Sequence, residues 1–356
     1  MTNLPFVSVI IATFNDELTI NLTLESVYQA FKYYKSLDGE AELIIVNDGS
    51  SDKTKLIVQE WLKSDRFNNI RFIDQENQGI TRSLQNGFNN IDNNCKYVIR
   101  IDADAFFIQE KWLYQMVVFA DLDESIGGVG VTVVNPFGII EKQGDQLFAE
   151  VADNSSNYIS NGKNYLTLAL KDKLREVDYM AGTCSCIRRT EWTTDVNYRL
   201  WTEDIDQALT IRLNNKKNFI ITDLILFHLG YGFGRVKRYN GNDVELATSS
   251  LNLFRISIST FISSIVGLKR WIIFVGIFKN IGFIKPNPLR TRETIVYKNN
   301  KYFLEKWGFT ENEVDIKYVK QKYIGTELCW RWEQNCKLKS ERIMKLYGES
   351  FDTNKK

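Results

Sequence analysis

The sequence predicts an α/β fold, with a mostly parallel central sheet, helices on both faces and a C-terminal helical extension. Three observations carry this. Short apolar runs without polar alternation recur at Phe6–Thr13, Ala41–Val46, Ile70–Ile73 and Tyr97–Ile101, the signature of strands buried on both faces. Stretches with helical spacing separate them, as in Leu18–Tyr34, where Ile20, Leu24, Val27 and Phe31 recur every three or four residues. From about residue 235 the chain turns basic and aromatic.

The elements follow in order. The first run stops at Asn15-Asp16-Glu17, and the helical stretch over Leu18–Tyr34 follows. The second ends in Asn47-Asp48-Gly49-Ser50, a turn cluster, before a helix over Lys53–Trp61. After the strands at Ile70–Ile73 and Tyr97–Ile101, further strands are predicted over Val129–Val134, Val177–Ile187 and Phe219–Thr222, with a helix over Glu203–Leu213. A polar loop spans Asp153–Lys163. Residues past 235 are expected to be helical, with Asn300–Gly308 an amphipathic helix stopped by its glycine.

Composition narrows the class. The 356 residues carry a formal net charge of +1, so global charge names no partner. The distribution is uneven: residues 1–234 hold 22 Lys and Arg against 32 Asp and Glu, whereas residues 235–356 hold 23 against 12. An acidic body of net −10 with a tail of net +11 points the tail toward something anionic. The expected division is therefore 1–234 as the main domain and 235–356 as the extension. The cysteine count of five is odd and contains no Cys-x-x-Cys; Cys184 and Cys186 lack a second pair for zinc, so reduced thiols are expected. No signal-peptide pattern or run of 18 apolar residues is visible. The expected location is cytoplasmic, with the tail peripheral at the inner membrane face. Residues 251–284 read equally as an interfacial helical hairpin and as a buried helix pair or dimer interface.

The chemistry concentrates at strand ends, where open parallel sheets bind ligands. Tyr97-Val-Ile-Arg-Ile-Asp-Ala-Asp104 closes an apolar run with two carboxylates at i and i+2. Strand periodicity sends Asp102 and Asp104 to one side. Two converging carboxylates favour a hard divalent cation, Mg²⁺ or Mn²⁺. Thr13–Asp16 and Asn47–Ser50 mark two further strand ends. Gly-x-Gly-x-x-Gly and the Walker pattern are absent, which disfavours the usual dinucleotide and phosphate-loop folds. No DNA- or RNA-binding module is visible, so nucleic acid is not an expected partner.

In order and spacing, Val7–Asn15, Val46–Asp52, Glu76-Asn-Gln-Gly79 with Asn86-Gly87, Ile101–Asp104, Ala181-Gly182, Trp201-Thr-Glu-Asp204 and His228 resemble the inverting family 2 glycosyltransferases of GT-A fold. The resemblance covers roughly residues 6–230. It implies transfer of a sugar from a nucleotide diphosphate donor, a UDP-sugar, to an acceptor hydroxyl of a growing glycan, and the basic tail, with Lys269, Arg270, Lys279 and Lys285 suited to an anionic membrane surface, points to a glycan on a lipid carrier. The resemblance implies that Asp48 reads the uracil imide, that Thr13 and Asn15 line the base and ribose, and that Arg82 contacts the diphosphate. Asp48 also reads as a turn residue and Arg82 as part of a solvated helix face.

Asp104 is then the direct metal ligand, with Asp102 reaching the metal shell or ribose. His228, the chain's one histidine, is either a packed core residue or a third ligand that would favour Mn²⁺. Asp204 is the implied catalytic base, with Glu203 as the second choice. Gly182 and Thr183 lie beneath the acceptor, and Trp201 stacks on a sugar. The sequence departs from the family pattern at Ala12-Thr13-Phe14, at Asn47, and in about a dozen additional residues over Phe31–Glu42. The rival readings are a retaining transferase of the same fold and a catalytically silent sugar- or membrane-binding subunit.

Overall fold

The computed structural model describes residues 4–64, 66–134, 140–142, 174–198, 202–230, 237–239, 242–244 and 293–308. The described elements run β1 (Val7–Thr13), α1 (Ile20–Lys35), β2 (Ala41–Asp48), α2 (Thr54–Lys63), β3 (Ile70–Gln75), α3 (Ile80–Asn89), β4 (Tyr97–Ile101), β5 (Ala105–Phe107), α4 (Trp112–Ala120), β6 (Ile126–Val134), β7 (Ile140–Lys142), β8 (Leu174–Val177), β9 (Cys184–Arg188), α5 (Glu203–Leu213), β10 (Lys217–His228), the strand pair β11 (Lys237–Tyr239) and β12 (Asn242–Val244), and α6 (Glu293–Trp307).

The main sheet has the order β3-β2-β1-β4-β9-β6-β10-β5, with β7 on β6 and β8 on β10. Its first four strands are parallel, as the buried apolar runs imply. Beyond β4 the sheet is mixed: β9 runs antiparallel to both β4 and β6, and β10 is parallel to β6 but antiparallel to β5.

Alternation along β1 sorts the two faces. Val7, Val9 and Ile11 pack with residues of α1, α2 and α4, including Leu24, Val58, Trp112 and Met116. Ile10 packs on the other face with Ile44, Val98, Leu84 of α3 and Ile211 of α5. Each such fully buried aliphatic side chain stabilises the fold by about 1.5–3 kcal/mol relative to an exposed one. Helices on both faces are therefore a consequence of strands that are apolar on both sides.

Several local expectations change. The run Val177–Ile187 is not one strand but two, β8 and β9. Asp178 turns to Arg212 at 3.3 Å, and the Gly182 N–H donates to Asp204 instead of a neighbouring strand. Conversely, the strand expected over Phe219–Thr222 is the middle of β10. Its polar Thr222-Asp223 sits at a register irregularity between Ile221 and Ile225, so a bulge had the sequence pattern of an end. α4 carries no expectation from the sequence, because it is almost uniformly apolar, and of α3 the sequence offers only the solvated helix face at Arg82. The β11–β12 pair interrupts a region expected to be helical.

α6 ends at Trp307, and Gly308 at φ 82° follows it, with its N–H on the Leu304 carbonyl at 2.7 Å; this is the glycine stop expected there. Among the described residues no helix is long and apolar enough to cross a membrane. The loop Asp153–Lys163 and residues 251–284 lie outside the described residues.

Candidate active site

Parallel pairing places the ends of β1, β2 and β4 along one sheet edge. Thr13 lies opposite Asn47, and Asp48 opposite Gln75. The two strand ends are tied together. Asn15, at φ 54°, accepts the Ser51 N–H at 2.8 Å on its side-chain oxygen, and its own N–H donates to Ser50 Oγ at 3.0 Å. Thr13 Oγ1 donates to Asp16 Oδ2 at 3.0 Å.

Asp48 is buried and anchors the turn into α3. Its carboxylate accepts the N–H groups of Gln78 and Gly79, each at 2.8 Å, and the Gln75 side-chain amide at 2.8 Å. An ionised carboxylate has about four acceptor positions, so this set leaves one to read a ligand N–H. Turn-building and imide recognition are therefore compatible. Arg82 is exposed on the first turn of α3, where a guanidinium is available to anionic groups.

β4 stops at Ile101, and a turn closed by the Ala105 N–H on the Asp102 carbonyl leads into β5. Asp102 and Asp104 thus converge through a turn rather than through strand periodicity. β5 lies antiparallel to β10 with His228 opposite Ala105. His228 is the last residue of β10, not a residue beyond the strand. One ligand atom from each of Asp102, Asp104 and His228 lies within 4.8 Å of the others, and His228 Nε2 is 3.3 Å from Asp104 Oδ2. Ligands at about 2.1 Å on an octahedral cation are roughly 3.0–4.2 Å apart, so small side-chain rotations would close the set. Two carboxylates and one imidazole suit a divalent ion of intermediate hardness.

The buried Arg100 connects this cluster to α5. Both Nη1 and Nη2 donate to Glu203 Oε1 at 3.2 Å, and Nη2 is 3.6 Å from Asp102 Oδ1. Burial pushes the Glu203 carboxyl up to about 7, with the Arg100 guanidinium opposing the rise. The Gly182-Thr183 segment makes a second connection. The Thr183 carbonyl accepts the Asp102 N–H at 2.9 Å, and the Gly182 N–H donates to Asp204 Oδ2 at 2.8 Å. A side chain at 182 would have its Cβ 2.9 Å from Arg100 Cζ and 2.9 Å from Asp204 Cβ, so only glycine fits without displacement.

Glu203 and Asp204 open α5, where the helix dipole favours acidic groups. Thr202 enters the helix at φ 72°, a left-handed conformation that costs a β-branched residue energy and is characteristic of functional sites.

Asp102, Gly182, Glu203 and Asp204 thus gather around Arg100, with Thr183, Asp104 and His228 joined to them through Asp102, while Thr13, Asn15 and Asp48 line the neighbouring strand ends. Trp201 lies outside the described residues. Sequence reasoning missed Arg100. Its signal was a cation inside the apolar run Tyr97–Ile101, where a buried charge requires partners.

This site lies within a chain whose residues 8–191 match the family model described as glycosyl transferase family 2. The match covers just over half of the chain, which belongs to that family. Glycosyltransferase GlyA of Streptococcus pneumoniae is 29% identical over 160 residues, covering 42% of this chain and 20% of that protein. Poly-beta-1,6-N-acetyl-D-glucosamine synthase of Staphylococcus epidermidis is 28% identical over 216 residues, covering 58% of this chain and 46% of that one. The chain therefore spans less than half the length of these curated relatives. The crystal structure of S. aureus TarS in complex with UDP-GlcNAc aligns over 97% of this chain and 93% of its own at 14% identity, with a TM-score of 0.47. The architecture that the family resemblance implies, a central sheet with helices on both faces, is the one observed.

Proposed function

We propose that this glycosyltransferase moves a hexose or N-acetylhexosamine from a UDP-sugar to a hydroxyl of a growing glycan, with inversion. The observation that carries the reading is the joining of the Asp102, Asp104 and His228 cluster to the Glu203-Asp204 pair through Arg100 and the 182–183 backbone. A relative named for a glycan synthase supports the glycan acceptor.

In this reading Asp102, Asp104 and His228 hold Mn²⁺ or Mg²⁺, which supplies positive charge to the departing diphosphate. Thr13 and Asn15 border the base and ribose, Asp48 accepts from the base imide, and Arg82 forks onto phosphate oxygens. Asp204 takes the proton from the acceptor hydroxyl as its oxygen attacks the anomeric carbon from the side opposite the leaving group. Glu203, engaged by Arg100, holds the first turn of α5 in place. Gly182 and Thr183 form the floor under the acceptor. A single displacement of this kind inverts the anomeric centre.

The test is UDP release across a panel of UDP-sugars with and without Mn²⁺, followed by the anomeric configuration of the product. Metal-dependent release from one donor with an inverted product supports the proposal; a retained configuration overturns the base assignment. Asp204→Asn is expected to lower kcat by about 10²–10⁴-fold while donor binding persists.

A further inference from the structure

α6 packs on the first turn of α5 from a position about a hundred residues later in the chain. Lys306 Nζ lies 2.7 Å from Asp206 Oδ1 and 2.7 Å from Asp195 Oδ2. Trp307 Nε1 donates to Asp206 Oδ1 at 2.7 Å, and the Tyr198 hydroxyl donates to the same oxygen at 3.2 Å. Tyr302 donates its hydroxyl to Asp195 Oδ2 at 2.9 Å. Trp307 and Phe303 are 1% and 4% exposed, and Asp206 is 3% exposed. A carboxylate buried so completely depends on its donors to stay there. Over these residues the basic, aromatic extension is in contact with the protein's own body.

What it holds is the turn that carries Asp204. At 100° per residue, Asp206 lies about 200° around the helix from Asp204. Asp204 accordingly reaches Gly182 while Asp206 reaches α6. The rest of α5 is tied elsewhere. Gln207 donates to the Thr193 carbonyl, the Ala208 carbonyl accepts from Asn218, and Arg212 donates to the Val177 carbonyl. The first turn, entered through the left-handed Thr202, rests on Arg100 and Gly182 from one side and on α6 from the other.

We infer that Lys306 and Trp307 are positioning residues of the transferase, acting through Asp206 to set the place of Asp204 against the acceptor. This rests on the reading of Asp204 as the base. The extension then belongs to the catalytic apparatus, and activity requires α6 docked.

The test uses the full chain with Trp307→Phe, which keeps an aromatic ring but removes the N–H. It adds Lys306→Met, and the pair Lys306→Met with Asp206→Asn, in which the buried charge left unpaired by the first change is also removed. Readouts are kcat with acceptor, donor KM, the Mn²⁺ concentration for half-maximal rate, and Tm. A small displacement of a reacting group costs on the order of 10- to 100-fold in rate, so kcat is expected to fall by that factor. Donor KM and the Mn²⁺ requirement, set by the strand ends and the metal cluster, should stay within about twofold. The paired variant should recover Tm without recovering kcat. The inference is overturned if kcat stays near wild type in all three, or if it simply follows Tm and returns in the paired variant. Asp204→Asn separates the two readings. If it is fully active, the base assignment itself is wrong; if it is inactive while the α6 variants are fully active, only the positioning role falls.

Discussion

Gly182→Ala is the sharpest probe of the site, because a single methyl group enters where Arg100 and Asp204 meet the 182–183 backbone. Its Cβ would stand 2.9 Å from Arg100 Cζ, 2.9 Å from Arg100 Nη1 and 2.9 Å from Asp204 Cβ. Carbon–carbon contacts prefer about 3.5–4.0 Å, so the neighbours must retreat by more than half an ångström. Arg100 has little freedom to do so, since its guanidinium is buried and held by Glu203 at 3.2 Å. Asp204 therefore gives way, and its 2.8 Å bond from the Gly182 N–H stretches. Overpacking of this kind costs about 1–3 kcal/mol, equivalent to a fall in Tm of about 3–10 °C for a domain of this size. If Asp204 is the base, as proposed, its displacement by most of an ångström costs on the order of 10- to 100-fold in kcat. The assays are initial rates of UDP release with acceptor, differential scanning calorimetry, and donor titration in the presence of Mn²⁺. Lower kcat and Tm with intact donor affinity is the expected result. Wild-type kcat and Tm would show that the 182 backbone has room, and the proposed close approach of Arg100 and Asp204 would be refuted.

His228→Ala should raise the Mn²⁺ concentration for half-maximal activity by about tenfold or more, since even partners of metal ligands carry effects of that size; recovery at high Mn²⁺ is expected, and an unchanged Mn²⁺ curve would remove His228 from the ligand set. Glu203→Gln should change the pH dependence of stability. The folded carboxyl titrates near 7 against an ordinary 4.5, so the folded state keeps this proton longer. The group costs nothing below pH 4.5, and its cost grows as pH rises to 7, reaching on the order of 3 kcal/mol. Glutamine has no proton to lose, so urea midpoints measured from pH 4.5 to 7 should decline less steeply in the variant; parallel declines would contradict the burial argument.

Much of the frame was legible because its signals are local. Residues that are buried on both faces make continuous apolar strands, and polar clusters stop them, so Thr13, Asn15, Asp48, Asp102 and Asp104 could be placed at strand ends from neighbouring residues alone. α5 was found at its true limits, Glu203–Leu213, since an acidic first turn and helical spacing coincide there. Where a local signal was ambiguous the reading went astray. A bulge at Thr222 looked like a strand end, and a break at Asp178–Thr183 looked like continuous strand.

The sequence by itself thus determined the class of fold, the sheet edge at which the candidate site residues gather, and the carboxylates and histidine found there. Only the tertiary structure decided how they meet. It paired β5 with β10 so that His228 joins Asp104, placed Glu203 on Arg100 from 103 residues away, and seated Lys306 and Trp307 against Asp206. The physical reason is range: helical and strand periodicities arise between residues a few positions apart. The partner of a buried charge, by contrast, is chosen by whichever distant segment the packed sheet brings within about 3 Å of it.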